Sequence, residues 1–287
     1  MADGVTHVEP VRRGYNILED PLSLLRRLCE TRRMVQLDTH DAGMPVWIDV
    51  MTQTTQEREA LMAFYTAVFG WEWDVGGPEM GYYSIANSSG RPVMGLGETE
   101  EGRGVMVTYF STDDIQATTQ RALAMGATVV MGPMDVMDIG AMAVLVDPTG
   151  GVHGLWQPKT FHGFGVVYEP NAPGWFDHTS GDPASAAAYY RELTGHTLGQ
   201  PEGDMRILMN GEQWFASISE DHMGREGAAW NPIFVVDSLA RVRDLVRSLS
   251  ATVVLEEMEV PGSAISVFLE PVTQGAVTIM AAGTPAE

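Results

Sequence analysis

The sequence predicts an α+β fold built as two tandem βαβββ modules, preceded by an N-terminal helical arm. Three observations predict it: a Trp-x-Asp strand start that occurs twice, a glycine-capped amphipathic helix after each, and an acid–proline hairpin closing each half. Repeats of this length signal a duplicated architecture and therefore come first. From Val46 the chain reads VWIDVMTQTTQEREALMAFYTAVFGWEW, and from Trp175 it reads WFDHTSGDPASAAAYYRELTGHTL. Trp47 and Asp49 are thus matched by Trp175 and Asp177.

Each helix carries its own start and stop signals. Thr54 with Glu57 fits a capping box, and Asp182 followed by Pro183 supplies an N-cap and a proline at the first helical position. Leu61, Phe64, Tyr65 and Val68 fall on one face of the first helix. Ala186, Tyr189, Tyr190 and Leu193 fall on the matching face of the second. Gly70 and Gly195 end the two helices as left-handed caps.

Further along, YFSTDDIQATTQRALAMGATVV aligns without a gap to IFVVDSLARVRDLVRSLSATVV. Both read as strand, helix and strand, with the helix beginning after Asp113 or Asp237 and burying Ile115, Ala122 and Met125 or Leu239, Val246 and Leu249. MAVLVDPTGGVHGLW and ISVFLEPVTQGAVTIM then close the halves, with Pro148 and Pro271 in the turns. The expected domains are an arm with one helix over 1–44, a first module over 45–157, a linker over 158–173 and a second module over 174–282. GFGVVYE in the linker is compatible with a short strand.

Composition narrows the partners. The formal net charge of −21 repels phosphate backbones and anionic lipid, which argues against nucleic acid and membrane. No apolar run is long enough to span a bilayer and the N-terminus has no signal-peptide core, so a cytoplasmic location is expected. Cys29 stands alone, which rules out an internal disulfide framework. The lone lysine, Lys159, lies in no Schiff-base or phosphate-loop motif. The arm holds Arg12, Arg13, Arg26, Arg27, Arg32 and Arg33. It reads as packed on its own acidic body, or as a docking arm for an acidic partner such as a tailoring enzyme. A monomer and a homodimer are both compatible with the pattern.

WIDV with AFYTAVFGW, VTYFSTDD and DPTGGVHGLWQ, in that order and echoed in the second half, resemble the vicinal oxygen chelate superfamily. Its members include glyoxalase I, extradiol dioxygenases and bleomycin-binding proteins. The resemblance implies metal ligands at three places in a module. Those places hold Trp47, Val107 and Gly154 in the first half, and Trp175, Asn231 and either Thr278 or Ile279 in the second. None is a histidine or carboxylate, so neither a metal nor another cofactor is expected.

Strand alternation puts Asp49 and Asp177 on the same inward face as the two tryptophans, and turns His153 and His178 toward the helices. Val107, Tyr109, Ser111 and Asn231 share the inward face, with Tyr83 and Trp214 as further ligand-binding candidates from the middle strands. Indole and phenol rings beside a carboxylate suit a planar, mostly apolar metabolite bearing an amine or hydroxyls. The expected function is therefore metal-independent binding of an aromatic small metabolite, as an antibiotic-binding or accessory protein like those of aromatic polyketide pathways. The alternatives are an isomerase or cyclase using Asp49 or Asp177 as its catalytic acid–base group, or the metal-dependent lyase or dioxygenase chemistry of the superfamily.

Overall fold

The computed structural model describes residues 41–99, 104–200, 205–221, 227–260 and 263–282. The expected arm helix therefore lies outside the described residues. The first half runs β1 (Pro45–Thr52), α1 (Thr55–Phe69), β2 (Glu72–Val75), β3 (Ser84–Ser88), β4 (Arg91–Glu98), β5 (Met106–Ser111), α2 (Ile115–Ala124), β6 (Thr128–Val136), β7 (Gly140–Val146) and β8 (Val152–Pro158). The second repeats it as β9 (Pro173–Ser180), α3 (Pro183–Thr194), β10 (Thr197–Leu198), β11 (Arg206–Asn210), β12 (Gln213–Glu220), β13 (Ala229–Val236), α4 (Leu239–Ser248), β14 (Thr252–Val260), β15 (Ser263–Leu269) and β16 (Ala276–Ala281).

The class is α+β and the halves repeat, but each half holds two βαβββ units where the sequence reading counts one. The reason is pairing. β1 lies parallel to β4, and β5 lies parallel to β8, so each pair needs its own crossover helix. Antiparallel pairing of β1 with β5 then joins the two units into one sheet, in the order β2-β3-β4-β1-β5-β8-β7-β6. The second half follows the same plan around β9 and β13, and one parallel bridge, Ala229 to Val152, connects the sheets.

Helix signals are met with one shift of register. Thr54 accepts from the Glu57 amide at 3.2 Å, and the Glu57 carboxylate reaches back to the Gln53 amide at 2.9 Å. Asp182 caps α3, and Gly70 and Gly195 take φ of 72° and 74°. The second helix of each half starts one residue later than expected. Asp114 and Ser238 are the N-caps, because their side-chain oxygens, not those of Asp113 and Asp237, receive the Ala117 and Arg241 amides.

The helices pack between the halves. On α1, Phe64 meets Phe268 of β15 with ring centroids 6.1 Å apart, and Phe69 meets Phe234 of β13 at 5.4 Å. On α3, Tyr190 meets Phe110 of β5 at 5.8 Å. One face of each sheet is thus committed to the helices, which leaves the opposite face for a site.

The linker forms no strand; it lies across the first half instead. Phe164 donates its amide to Val46 at 2.8 Å, and Gly165 donates to Pro92 at 2.8 Å. This close approach needs Gly163, whose φ is +100° and whose added Cβ would stand 2.1 Å from the Val46 carbonyl.

Candidate functional site

Alternation along β1 turns Ile48 and Val50 to the helices and Trp47 and Asp49 to the opposite face, as the sequence predicts. The Trp47 indole N–H lies 3.0 Å from Asp49 Oδ1 and 2.8 Å from the Tyr83 hydroxyl. Tyr83 donates a very short hydrogen bond to the same carboxylate. Tyr83 precedes β3, and its hydroxyl reaches Asp49 through space left by Gly95. A Cβ on Gly95 would stand 1.7 Å from the Tyr83 oxygen.

Burial pushes the Asp49 carboxyl up from its ordinary range, against hydrogen bonds from Tyr83, Tyr109 and Trp47 that pull it down. The Tyr83 and Tyr109 phenols are pushed well up, by burial first and then by the Asp49 charge.

The second half answers with different atoms. Ser217 stands opposite Asp177 in the register that Gly95 holds opposite Asp49. The Trp175 indole donates to Ser217 at 2.8 Å, Ser217 donates to Asp177 Oδ1 at 2.5 Å, and Ser219 donates to Oδ2 at 2.9 Å. Asn231, paired with Asp177 across β9 and β13, donates to the Asp177 carbonyl at 3.1 Å. A serine hydroxyl therefore does in one half what a tyrosine hydroxyl does in the other.

The remaining candidates divide. Val107 is paired with Asp49 and Tyr109 with Trp47, so both belong to the first face. Ser111 ends β5, where its backbone pairs with Gly43 and Met44. A bulge at Phe215 in β12 shifts the alternation, so Trp214 keeps the same side as Ser217. Phe161 and Phe164, which no periodicity marks, were not among the expected site residues. Their rings lie 4.9 Å and 5.6 Å from the Trp47 indole. Only the mixed Gly and aromatic content of the linker hinted at such contacts.

His153 and His178 do face the helices. His178 Nε2 lies 2.9 Å from Asp147 Oδ2, and His153 Nε2 lies 3.1 Å from the Tyr189 hydroxyl. Both histidines are fully buried, on the helix side of the sheets.

Similarity to known proteins agrees with this geometry. Residues 47–155 match the family described as a glyoxalase-like domain. That stretch carries the fold of a glyoxalase-like domain. The chain is 29% identical over 249 residues to a Mycobacterium tuberculosis protein named "Putative glyoxylase CFP32", covering 82% of this chain and 93% of that one. It is 31% identical over 170 residues to "Anthracycline biosynthesis protein DauV" of a Streptomyces species, covering 53% of this chain and 61% of the relative. Among solved structures, the Mn(II)-bound glyoxalase of Novosphingobium aromaticivorans superposes with a TM-score of 0.61 at 15% identity, over 84% of this chain and 83% of that one. The 2,2',3-trihydroxybiphenyl 1,2-dioxygenase of Sphingomonas wittichii gives 0.60 at 14% identity, over 85% and 91%. At such identities the superpositions speak for the fold.

A glyoxalase-like fold implies a metal, but the residues at the ligand positions do not fit one. A side chain at Gly154 would have its Cβ 2.1 Å from the Tyr109 ring, so a phenol occupies the space of a ligand there. Register makes Thr278, paired with Ile233, the counterpart of Gly154 paired with Tyr109, which settles the position left open between Thr278 and Ile279. Trp47, Val107, Trp175 and Asn231 are indoles, an alkyl group and an amide that hydrogen-bonds to backbone. Among the described residues, no three His, Cys, Asp or Glu side chains converge on a point. Nor is any described helix long and apolar enough to cross a membrane.

Proposed function

We propose that the protein binds a mostly apolar, aromatic small metabolite on a sheet face opposite the helices, without a metal, as an antibiotic-binding or accessory protein of secondary metabolism. The observation that carries this reading is the substitution at the ligand positions: indole rings, an alkyl group and an amide stand where metal chemistry needs several anionic or imidazole donors. Such a surface offers flat apolar contact with a few fixed polar groups, which is how small-molecule sites orient a planar ligand. The relative named for anthracycline biosynthesis supports the ligand class, a planar aromatic aglycone bearing an aminosugar.

The test is a titration of the purified protein with an anthracycline, followed by tryptophan emission and by chromatography and mass spectrometry of the recovered ligand. Saturable quenching with the ligand recovered unchanged is the expected result. An absence of saturable quenching sinks the reading. A ligand recovered with a changed chromatographic retention, at unchanged mass for an isomerisation, turns it into that of an enzyme using carboxyl acid–base chemistry.

A further inference from the structure

The two sheet faces opposite the helices have the same backbone plan but different fillings. In the first half Trp47, Asp49, Val107 and Tyr109 are all at most 7% exposed. The Tyr83 hydroxyl occupies the space at Gly95, the Tyr109 ring occupies the space at Gly154, and Phe161 packs edge-on against Trp47. The Asp49 carboxyl bonds to the side chains around it, as a polar group buried in a core does.

At the matching places the second half carries no aromatic ring. Ser217 replaces the Gly95–Tyr83 pair, Ile233 replaces Tyr109, and Thr278 replaces Gly154. Trp175, Asp177 and Asn231 are each partly exposed where Trp47, Asp49 and Val107 are buried. Ser217 and Ser219 each hold one oxygen of Asp177, which orients the carboxylate on a surface that solvent reaches.

We infer that the two faces divide the work: the second-half face takes the ligand, with its aromatic part on the Trp175 indole and its amine or hydroxyl on Asp177, while the first-half face is closed by its own rings and serves as core. The inference rests on the binding reading above and names the face and the polar contact. A carboxylate oriented toward the ligand selects a cationic or hydroxylated substituent over an anionic one. The duplication has then left one binding face and one structural face.

The experiment follows the ligand's own fluorescence anisotropy, so that no tryptophan serves as reporter. An anthracycline and its N-acetylated form, which lacks the ammonium charge, are titrated into the full chain and into Asp177→Asn, Ser219→Ala and Asp49→Asn, with a thermal melt for each. Asp177→Asn is expected to weaken binding of the amine at least about tenfold. N-acetylation should cost the wild type a similar factor and cost Asp177→Asn little. Ser219→Ala, which leaves the carboxylate in place but removes one of its hydroxyl donors, should weaken binding by a smaller factor and serves as well if Asp177→Asn melts early. Asp49→Asn should bind within about twofold of the wild type, since Asn keeps the accepting oxygen and the closed ring. Loss of binding in Asp49→Asn with an unchanged melt, and retention in Asp177→Asn, overturns the inference and spares the binding reading. Failure of the wild type to bind either compound overturns both.

Discussion

The hydroxyl of Tyr190, on a helix of the second half, donates to Asp147 Oδ2 at 2.7 Å in the closing turn of the first half. Tyr65 and Glu270 are the pair related to it by the duplication, with the halves exchanged. Glu270 bonds within its own turn instead, to the Val272, Thr273 and Gly275 amides, and the Tyr65 hydroxyl is buried without a hydrogen-bond partner. Asp147 also takes His178 from the second half, so this corner is a polar rivet between the halves.

The asymmetry predicts opposite results for one chemical change. Tyr190→Phe removes a donor to a buried carboxylate and should lower unfolding stability by roughly 1.5–3 kcal/mol. Tyr65→Phe removes an unsatisfied hydroxyl and should be neutral or stabilising. Urea unfolding of the two variants checks both, and equal losses would contradict the assignment.

Acid should loosen the same corner, with a sign that can be worked out. Burial pushes the His153 imidazole down to about 4, against the attraction of the Asp147 charge. The unfolded histidine titrates near ~6.5, so the unfolded chain binds the extra proton between those values. The contribution is complete above that unfolded value and is lost as pH falls toward 4, a change on the order of 3 kcal/mol. For Asp147, burial raises the carboxyl, but the bonds and charge of His178 together with Thr149 and Tyr190 more than offset it, and the net shift is downward. Its contribution stands above the unfolded value near ~3.9 and is lost only in stronger acid. The stability of the wild type relative to His153→Phe should therefore rise with pH between 4.5 and 7.5.

Gly95 and Tyr83 should be energetically coupled. Gly95→Ser places a Cβ where the Tyr83 oxygen sits, and should destabilise by about 2 kcal/mol or more through forced repacking. Tyr83→Ala alone should also destabilise, by leaving a cavity beside Asp49. In the double variant the serine fills the role that Ser217 has in the second half. The combined loss should fall short of the sum by at least about 1 kcal/mol, measured as a double-mutant cycle.

Helix capping gives a local test of register. Asp114→Ala should cost about 1 kcal/mol, because its oxygen takes the Ala117 amide, whereas Asp113→Ala should lie within roughly 0.5 kcal/mol of the wild type. Thermal melts of the two variants decide which aspartate starts α2.

Much of this was legible along the chain because it depends on near neighbours. Periodicity exposed the duplication, the buried faces of α1 and α3, and the common side of Trp47 and Asp49. It also turned His153 and His178 away from that side. Gly70, Gly195 and Asp182 stand where short-range capping chemistry requires them. What escaped depends on partners distant in sequence. The count of βαβββ units follows from which strands pair, and a strand's local pattern does not name its partner. The cover of Phe161 and Phe164 over Trp47 comes from a linker without periodicity.

The sequence by itself determined the repeat, the α+β class and the paired Trp-x-Asp feature, because backbone periodicity and caps act over a few residues. Only the tertiary structure decided that the two Trp-x-Asp sites differ. Whether a hydroxyl from Tyr83 or from Ser217 meets the aspartate depends on the volume left by one glycine on a neighbouring strand, and that volume exists only once the sheet has formed.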